Sequence, residues 1–205
     1  MSKRAVCLTC HYPQSTCVCS AVKECNNQHD ILVVQHPSEA KNAKNTVRLL
    51  SLSLNKLTVI SSADEEAMLT LKATCLNAKQ GIYFVFPNAE SQSFETEVSK
   101  RKKDMCVSAN LHKKTEQEKQ TFIFIDATWR KAKRIWLENP WMDFCKSLHF
   151  DEQIDSLYHI RKTSIDNGLS TLEAVAYVLQ KSEEIDVAPL LSLFEHMQSF
   201  WLQRR

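Results

Sequence analysis

The sequence predicts an α/β protein with a mostly parallel sheet, preceded by a small metal-binding segment. Short apolar runs alternate with helical patterns along most of the chain, which is the order of elements in such a sheet. The first 19 residues differ sharply, because they hold four cysteines and no hydrophobic period. A chain of 205 residues suits one domain with a small appendage. We therefore expect a cysteine-rich segment at 1–28 and a larger α/β domain at 29–205.

The first half of the chain predicts three strands and three helices. Short apolar runs place the strands at 31–34, 57–60 and 82–86. Apolar residues with helical spacing place helices over 47–54 and 65–78. Residues 92–119 are polar and lysine-rich, and we interpret them as a helix followed by an exposed loop.

The second half begins with the most regular strand, at 121–125. A helix over 128–138 follows and ends before Pro140, because proline cannot continue a helix. Two further short strands are expected at 147–150 and 157–160, and closing helices at 172–181 and 189–202. In a parallel sheet the ligand lies beyond the carboxyl ends of the strands. Polar segments follow four predicted strands, at 36–39, 87–90, 126–129 and 161–164.

The cysteines at the start of the chain predict a structural zinc site. Cys7, Cys10, Cys17 and Cys19 are spaced as Cys-x2-Cys-x6-Cys-x-Cys, and zinc prefers a closed tetrahedron of sulfur or nitrogen ligands. The segment is too polar to fold without its metal. His11 and Cys25 are alternatives for one of the four ligands. Four thiolates leave no open position, so the pattern indicates a structural metal rather than a catalytic one.

Composition excludes several classes of protein. Only two glycines occur, Gly81 and Gly168, so neither a Rossmann turn nor a Walker loop can form. A net charge of +2 means that nucleic-acid binding depends on local basic patches. No apolar run approaches a membrane span of about 20 residues, and the N-terminus is not followed by the apolar stretch of a signal peptide. We expect a cytoplasmic protein, in which clustered cysteines favour a metal over disulfides.

Asp126 is the strongest catalytic candidate, because it follows the strand at 121–125 and precedes a helix. A carboxylate in that position either caps the helix or acts as a general base, with its pKa raised by burial against Trp129. Trp129 in turn offers a flat face for a base, or belongs to the core together with Ala132 and Trp136 on one helical face.

Basic residues occupy the other faces of the same predicted helix. Such a charge run is ordinarily a solvated surface, but beside a candidate active site it indicates phosphate binding. The residues are Arg130, Lys131, Lys133 and Arg134.

Ser170 and Glu173 have the spacing of a capping box, which is a complete structural explanation in itself. The additional interpretation is that this helix N-terminus faces an anionic group of a ligand. Arg161 is either a surface charge or a clamp for phosphate or carboxylate.

Taken together, these segments resemble the DTW-domain family of tRNA-uridine aminocarboxypropyltransferases. The matching pieces run in family order over nearly the whole chain. They are Cys7, Cys10, Cys17 and Cys19; His36, Pro37 and Glu39; Asn45 and Thr46; Pro87; Asp126, Thr128 and Trp129; Arg161; and Ser170, Thr171, Glu173 and Ala174. Each piece is weak alone, and their order makes the resemblance specific. Ala127 stands where the family commonly has glycine.

The resemblance implies a SPOUT-like fold, which can include a deep C-terminal knot. It also implies S-adenosylmethionine as the donor and N3 of a tRNA uridine as the acceptor, typically in the variable loop, with methylthioadenosine released. Catalytic roles would belong to Asp126, Thr128 and Trp129. Donor contacts would come from His36, Glu39, Asn45, Thr46, Pro87, Asp126, Arg161, Ser170, Thr171 and Glu173. The basic residues of 130–134, joined by Lys100–Lys103, would grip the tRNA backbone.

Two other classes remain open at this point. One is a SPOUT-like RNA methyltransferase that uses the same donor. The other is a zinc-dependent RNA-binding protein without catalytic activity. The sequence does not decide between a monomer and a homodimer, nor does it name the tRNA or the uridine.

Overall fold

The computed structural model describes residues 5–78, 81–109, 119–160 and 168–203. The strands are β1 (Asp30–Gln35), β2 (Leu57–Ser61), β3 (Ile82–Val85), β4 (Gln92–Ser93), β5 (Thr121–Asp126) and β6 (Lys146–His149). The α-helices are α1 (Pro37–Ala40), α2 (Val47–Ser53), α3 (Glu65–Asn77), α4 (Phe94–Ala109), α5 (Trp129–Glu138), α6 (Thr171–Glu183) and α7 (Ala188–Leu202). Short 3₁₀ helices occupy Gln14–Thr16, Cys19–Ala21 and Pro140–Phe144.

All six strands form one sheet, in the order β2-β1-β5-β3-β6-β4. The central strand β5 runs parallel to both neighbours, with Asp126 in register with Gln35 of β1 and Phe124 in register with Val85 of β3. The pairs β3–β6 and β6–β4 are also parallel. The mixed α/β class with a parallel sheet is therefore confirmed. A SPOUT-like knot stays a prediction.

The chain divides into two compact units. The first unit contains residues 1–27, 41–57 and 154–205, and the second contains 28–40 and 58–153. The cysteine-rich residues thus belong to a unit that also holds later parts of the chain. The division into 1–28 and 29–205 expected from the sequence stays a prediction about domains.

The second unit is built around the sheet. One face of the sheet packs on α3, α5 and the Pro140–Phe144 turn, through a core that includes Val34, Phe84, Ile123, Trp136 and Met142. On the other side Phe94, the first residue of α4, lies with its ring 6.1 Å from that of Phe122. Because β5 is covered on both faces, its sequence is continuously apolar rather than alternating.

The first unit is helical. Helix α2 contacts α6 and α7, and α7 also contacts the Cys19–Ala21 turn, so the cysteine segment shares a core with the last helix of the chain. The fully buried side chains of this core include Leu49, Leu50, Leu172, Leu190 and Phe194.

Most predicted elements are confirmed within one or two residues, but the strand expected at 157–160 is wrong. That segment has no strand in the structure, because side chains take the place of a neighbouring strand. Leu157 donates its N–H to the carboxylate of Glu173 and accepts a hydrogen bond from the amide of Gln198. The same Gln198 amide accepts a bond from the N–H of Ile160. The apolar pattern was real, but burial by helices produced it.

Among the described residues, no helix combines the length and the apolar character that a membrane crossing requires.

Candidate active site and metal site

The sheet order identifies a crevice between β1 and β5. From β1 the chain continues to β2 on one side, whereas from β5 it continues past β3 to β6 on the other side. Adjacent parallel strands whose connections leave in opposite directions open a ligand crevice at their carboxyl ends. Those ends are Gln35 and Asp126, which are in register. The strand order thus places Asp126 at the sheet edge where a ligand is expected, and its catalytic role stays a prediction.

The carboxylate of Asp126 is oriented by its neighbouring strand. The side-chain amide of Gln35 donates a hydrogen bond to Asp126 Oδ2 at 2.8 Å, and the N–H of His36 donates to the Asp126 carbonyl at 3.0 Å. Asp126 is half-buried, and Gln35 is buried. A neutral amide donor fixes the direction of a carboxylate without neutralising its charge. This arrangement suits a carboxylate that receives a proton.

Helix α5 begins three residues after Asp126, at Trp129, with Thr128 as its N-cap. The N-cap position therefore belongs to Thr128, whose side chain makes no capping hydrogen bond. Trp129 is 45% exposed, whereas Ala132 and Trp136 on the same helical face are buried. Its ring lies 6.2 Å from that of Phe86, which itself stacks on Trp136 at 4.9 Å. The core thus supports one face of an indole that remains accessible to a ligand.

The basic residues of α5 do not share one environment. Arg130, Lys131 and Arg134 line a cleft with His36 and Ser62, whereas Lys133 is not among its lining residues. Lys133 instead lies one helical turn after Trp129 on the exposed surface. The sequence pattern had joined all four as one strip.

Pro87 follows β3 and is exposed, at the same sheet edge as Asp126. The turn after it is fixed to β6 by two hydrogen bonds. Ser147 Oγ donates to Asn88 Oδ1 at 3.1 Å, and Ser91 Oγ lies 2.9 Å from His149 Nδ1. Sequence reasoning missed this support, because a polar residue on a short strand carries no sign of the loop that it will meet.

In the first unit, Asn45 and Thr46 lie at the start of α2, and both are buried. Thr46 is the N-cap, and Asn45 Oδ1 accepts a hydrogen bond from the N–H of Arg48 at 3.3 Å. Tyr12 donates its hydroxyl to the Asn45 carbonyl at 3.1 Å. Burial raises the pKa of Tyr12 to about 12, so this hydroxyl stays protonated and remains a donor. The cysteine-rich segment thereby holds the Asn45–Thr46 corner.

The predicted capping box at α6 is confirmed, with the Ser170 side chain and the Glu173 side chain each bonded to the other residue's backbone. Glu173 is buried, and its carboxylate does more than cap. It accepts hydrogen bonds from the N–H of Leu157 at 2.6 Å, the N–H of Ser170 at 2.7 Å and the hydroxyl of Ser156 at 3.0 Å. These bonds connect α6 to the segment before Arg161, which itself lies outside the described residues.

We expect Glu173→Gln to lower the free energy of unfolding by about 1–3 kcal/mol, because an amide NH₂ would then face groups that are themselves donors. Denaturant unfolding measures the change, and Glu195→Gln on the exposed face of α7 is the matched control, expected within about 0.5 kcal/mol of wild type. Equal, small effects of the two substitutions would show that the buried carboxylate does not organise this segment.

The four predicted cysteines meet in one place and can hold a metal ion, since their sulfur atoms all lie within 4.8 Å of one another. Cys7 Sγ lies 3.7 Å from Cys19 Sγ, and Cys10 Sγ lies 3.6 Å from Cys17 Sγ. A tetrahedral zinc with bonds of about 2.3 Å requires sulfur pairs roughly 3.8 Å apart. The cluster therefore has the dimensions of a zinc site, with neither His11 nor Cys25 in the group.

Without a cation, the crowded sulfur atoms oppose one another's ionisation. The N–H groups of Cys10 and Thr9 lower the pKa of Cys7 to about 6, whereas a hydrogen bond with Cys17 raises the pKa of Cys19 to about 12. A divalent cation removes this conflict, because it favours the thiolate form of every ligand. The donor set thus fits a metal both in geometry and in charge.

The structure places the predicted residues in two groups, one in each compact unit. The second unit holds His36, Glu39, Pro87, Asp126, Thr128, Trp129 and the basic residues of α5. The first unit holds the cysteine cluster, Asn45, Thr46, Ser170, Thr171 and Glu173. Their assignment to donor and RNA contacts stays a prediction.

A family model described as the DTW domain matches residues 4–202. The chain is 28% identical over 210 residues to proteins named tRNA-uridine aminocarboxypropyltransferase 2 from Macaca fascicularis and Mus musculus. These matches cover 98% of this chain and 65% of each relative, so the chain spans about two thirds of their length. It is also 28% identical over 222 residues to tRNA-uridine aminocarboxypropyltransferase A from Arabidopsis thaliana, covering 97% of this chain and 81% of that protein. No solved structure matches.

Proposed function

The chain belongs to the DTW-domain family, and on that basis we propose that it is a tRNA-uridine aminocarboxypropyltransferase. It moves the 3-amino-3-carboxypropyl group of S-adenosylmethionine to N3 of a tRNA uridine, with the variable loop as the expected location. The observation that carries the proposal is Asp126, oriented by Gln35 at the crevice between β1 and β5. The names of the three relatives supply the reaction class.

The reaction needs a base at the acceptor nitrogen. N3 of uracil carries a proton and becomes a good nucleophile only when that proton leaves. As the carbon–nitrogen bond forms, the carbon–sulfur bond breaks and its electron pair stays on sulfur, which gives neutral methylthioadenosine. The N3 proton passes to the carboxylate of Asp126. The Gln35 amide keeps that carboxylate pointing in one direction before and after the transfer.

The alignment of the donor with the acceptor nitrogen decides which group of S-adenosylmethionine is transferred. A sulfonium activates all three of its carbon substituents, and the carbon that reacts is the one placed in line with the nucleophile. We assign the exposed face of Trp129 to the ring of the target uracil, which has to leave its stack to reach an enzyme. Phe86 lies against this indole and itself stacks on Trp136, so the core supports the stacking surface.

Donor contacts are assigned to the remaining family residues. We assign one donor contact to Pro87, because the turn after it is fixed to β6 by the bond from Ser147 to Asn88. We assign another to Thr171 at the N-terminus of α6, where backbone N–H groups attract a carboxylate. The metal held by the cysteines is zinc in this proposal, with a structural role, because four thiolates complete its coordination. No step of the transfer passes through it. A cytoplasmic location remains our expectation from the reduced cysteines.

Mass analysis of nucleosides from tRNA incubated with the protein and S-adenosylmethionine tests the proposal. We expect a uridine carrying the 3-amino-3-carboxypropyl group, together with an equal amount of methylthioadenosine. A methylated uridine with S-adenosylhomocysteine would instead show an RNA methyltransferase. Binding of tRNA with no donor consumption would show a non-catalytic RNA-binding protein.

A further inference from the structure

A basic cleft lies beside the crevice that holds Asp126. Its volume is about 670 Å³, within the range of about 300–1,000 Å³ typical of ligand sites. It is formed by the end of β1, the turn after β2 and the first three turns of α5. The lining residues that matter here are His36, Ser62, Arg130, Lys131, Arg134 and Glu138.

Hydrogen bonds inside the cleft fix the proton of His36. The N–H of Ser38 donates to His36 Nδ1 at 3.1 Å, so this nitrogen is the acceptor of the ring. Lys131 Nζ donates to Ser38 Oγ at 2.5 Å, and Ser38 Oγ lies 2.9 Å from the same His36 Nδ1. The hydroxyl therefore accepts from lysine and donates to imidazole. This leaves the ring proton on Nε2, where it is available to an acceptor.

The charges of the cleft favour an anion. Three cationic side chains line it, and the one carboxylate among its lining residues is Glu138. Glu138 is paired with Arg134, with an Nε–Oε1 distance of 2.6 Å, so it offsets one of the three charges. Arg130 and Lys131 remain, and the Lys131 ammonium is held in place by Ser38.

The start of α5 adds to the same preference. Its first turn contains no acidic residue, and Thr128 makes no side-chain cap, so its N–H groups are not used by a carboxylate or hydroxyl from the cap position. The N-terminus of a helix carries partial positive charge, which favours anions nearby. Arg130 and Lys131 belong to this turn, so full and partial charges act together.

We infer that this cleft binds a phosphodiester of the RNA backbone next to the uridine that reacts. The inference rests on the proposed function, because it assigns the RNA to the crevice at Asp126. The N–H of His36 bonds to the Asp126 carbonyl, so a phosphate at His36 fixes its nucleotide close to the general base. The donor carboxylate is the other available oxyanion. Both groups carry one negative charge, so charge does not separate them. The phosphodiester fits better, because this cleft of about 670 Å³ adjoins Asp126, where the target uridine is assigned.

Two substitutions in the cleft, Arg130→Gln and Lys131→Gln, test the inference through the salt dependence of tRNA binding. Each should reduce the log–log slope by about 0.7–0.9 and raise the Kd for tRNA, with the Kd for S-adenosylmethionine unchanged. Lys72→Gln on the exposed surface of α3 is the matched control, since it removes the same charge from the same unit outside the cleft. Lys133→Gln should reduce the slope and the tRNA affinity less than either cleft substitution does.

Small probes separate the two oxyanions. Uridine 5′-monophosphate should bind about 10- to 100-fold more tightly than uridine to the wild-type protein, and Lys131→Gln should remove most of that preference. Equal salt-dependence slopes for Lys131→Gln and Lys133→Gln would indicate a general basic strip on α5 and would overturn the inference that the cleft binds a phosphodiester. A weakened donor with an unchanged tRNA slope would assign the cleft to the donor carboxylate and also overturn it.

These binding measurements need no turnover, so their result can be told apart from success or failure of the proposed reaction. A reduced slope in a protein that transfers no group would support the phosphate cleft and reject the enzymatic proposal. An unchanged slope in a protein that modifies uridine would reject the phosphate cleft and support the enzymatic proposal.

Discussion

Asp126→Asn should slow the transfer reaction by about 10²- to 10⁴-fold in a single turnover, which is the usual cost of losing general base catalysis. Asparagine keeps the size of the side chain and still accepts a hydrogen bond from the Gln35 amide, but it cannot take up the N3 proton. The variant should therefore fold normally and bind both tRNA and S-adenosylmethionine. Quenched single-turnover assays against pH measure the chemical step apart from product release.

The matched control is Asp104→Asn on the exposed surface of α4, which removes one carboxylate from the same unit without touching the crevice. We also expect Gln35→Met to slow the transfer less than Asp126→Asn does, since it removes the group that orients the base but not the base itself. A near wild-type rate for Asp126→Asn would mean that another group accepts the proton. If the variant unfolds instead, Asp126 has a structural role.

The fold could be predicted wherever periodicity reflected burial by local neighbours. The run Phe122-Ile123-Phe124-Ile125 is apolar throughout because both faces of β5 are covered, and it gave the correct strand within one residue. The segment 157–160 has a similar apolar pattern, but the side chains of Gln198 and Glu173 make hydrogen bonds to its backbone from other parts of the chain. Long-range side-chain partners of this kind leave no local signal.

The sequence was enough to propose the residues of the candidate site, but not how they are arranged. Asp126 ends a strand and Trp129 begins the next helix, so both residues could be proposed from the sequence. The strand order that makes β1 and β5 neighbours comes from tertiary packing, and with it the pairing of Gln35 and Asp126. The separation of Lys131 from Lys133 likewise depends on which face of α5 meets the end of β1.

Removal of the metal should have the largest effect on stability. Structural zinc contributes an apparent binding free energy of about 10–16 kcal/mol in small zinc-dependent folds, which matches or exceeds the total stability of a typical domain, about 5–15 kcal/mol. Cys10 is fully buried, and its sulfur pairs with that of Cys17 at 3.6 Å. We therefore expect Cys10→Ser to lose the zinc and to unfold the segment before residue 27. Elemental analysis should find about one zinc in the wild-type chain and none in this variant.

The consequence should reach the proposed donor site through named contacts within the first unit. Tyr12 donates to the Asn45 carbonyl, and the Arg48 guanidinium donates to the His11 carbonyl at 3.3 Å while lying over the Tyr12 ring. Both bonds link the cysteine-rich segment to the corner where α2 begins. Losing the zinc should therefore weaken S-adenosylmethionine binding, while Cys145→Ser, a half-buried thiol outside the cluster, should keep both zinc and donor affinity. Limited proteolysis after chelation gives the deciding result: if residues 5–25 of the metal-free protein resist cleavage as in the native protein, the segment folds without zinc and the metal is not structural.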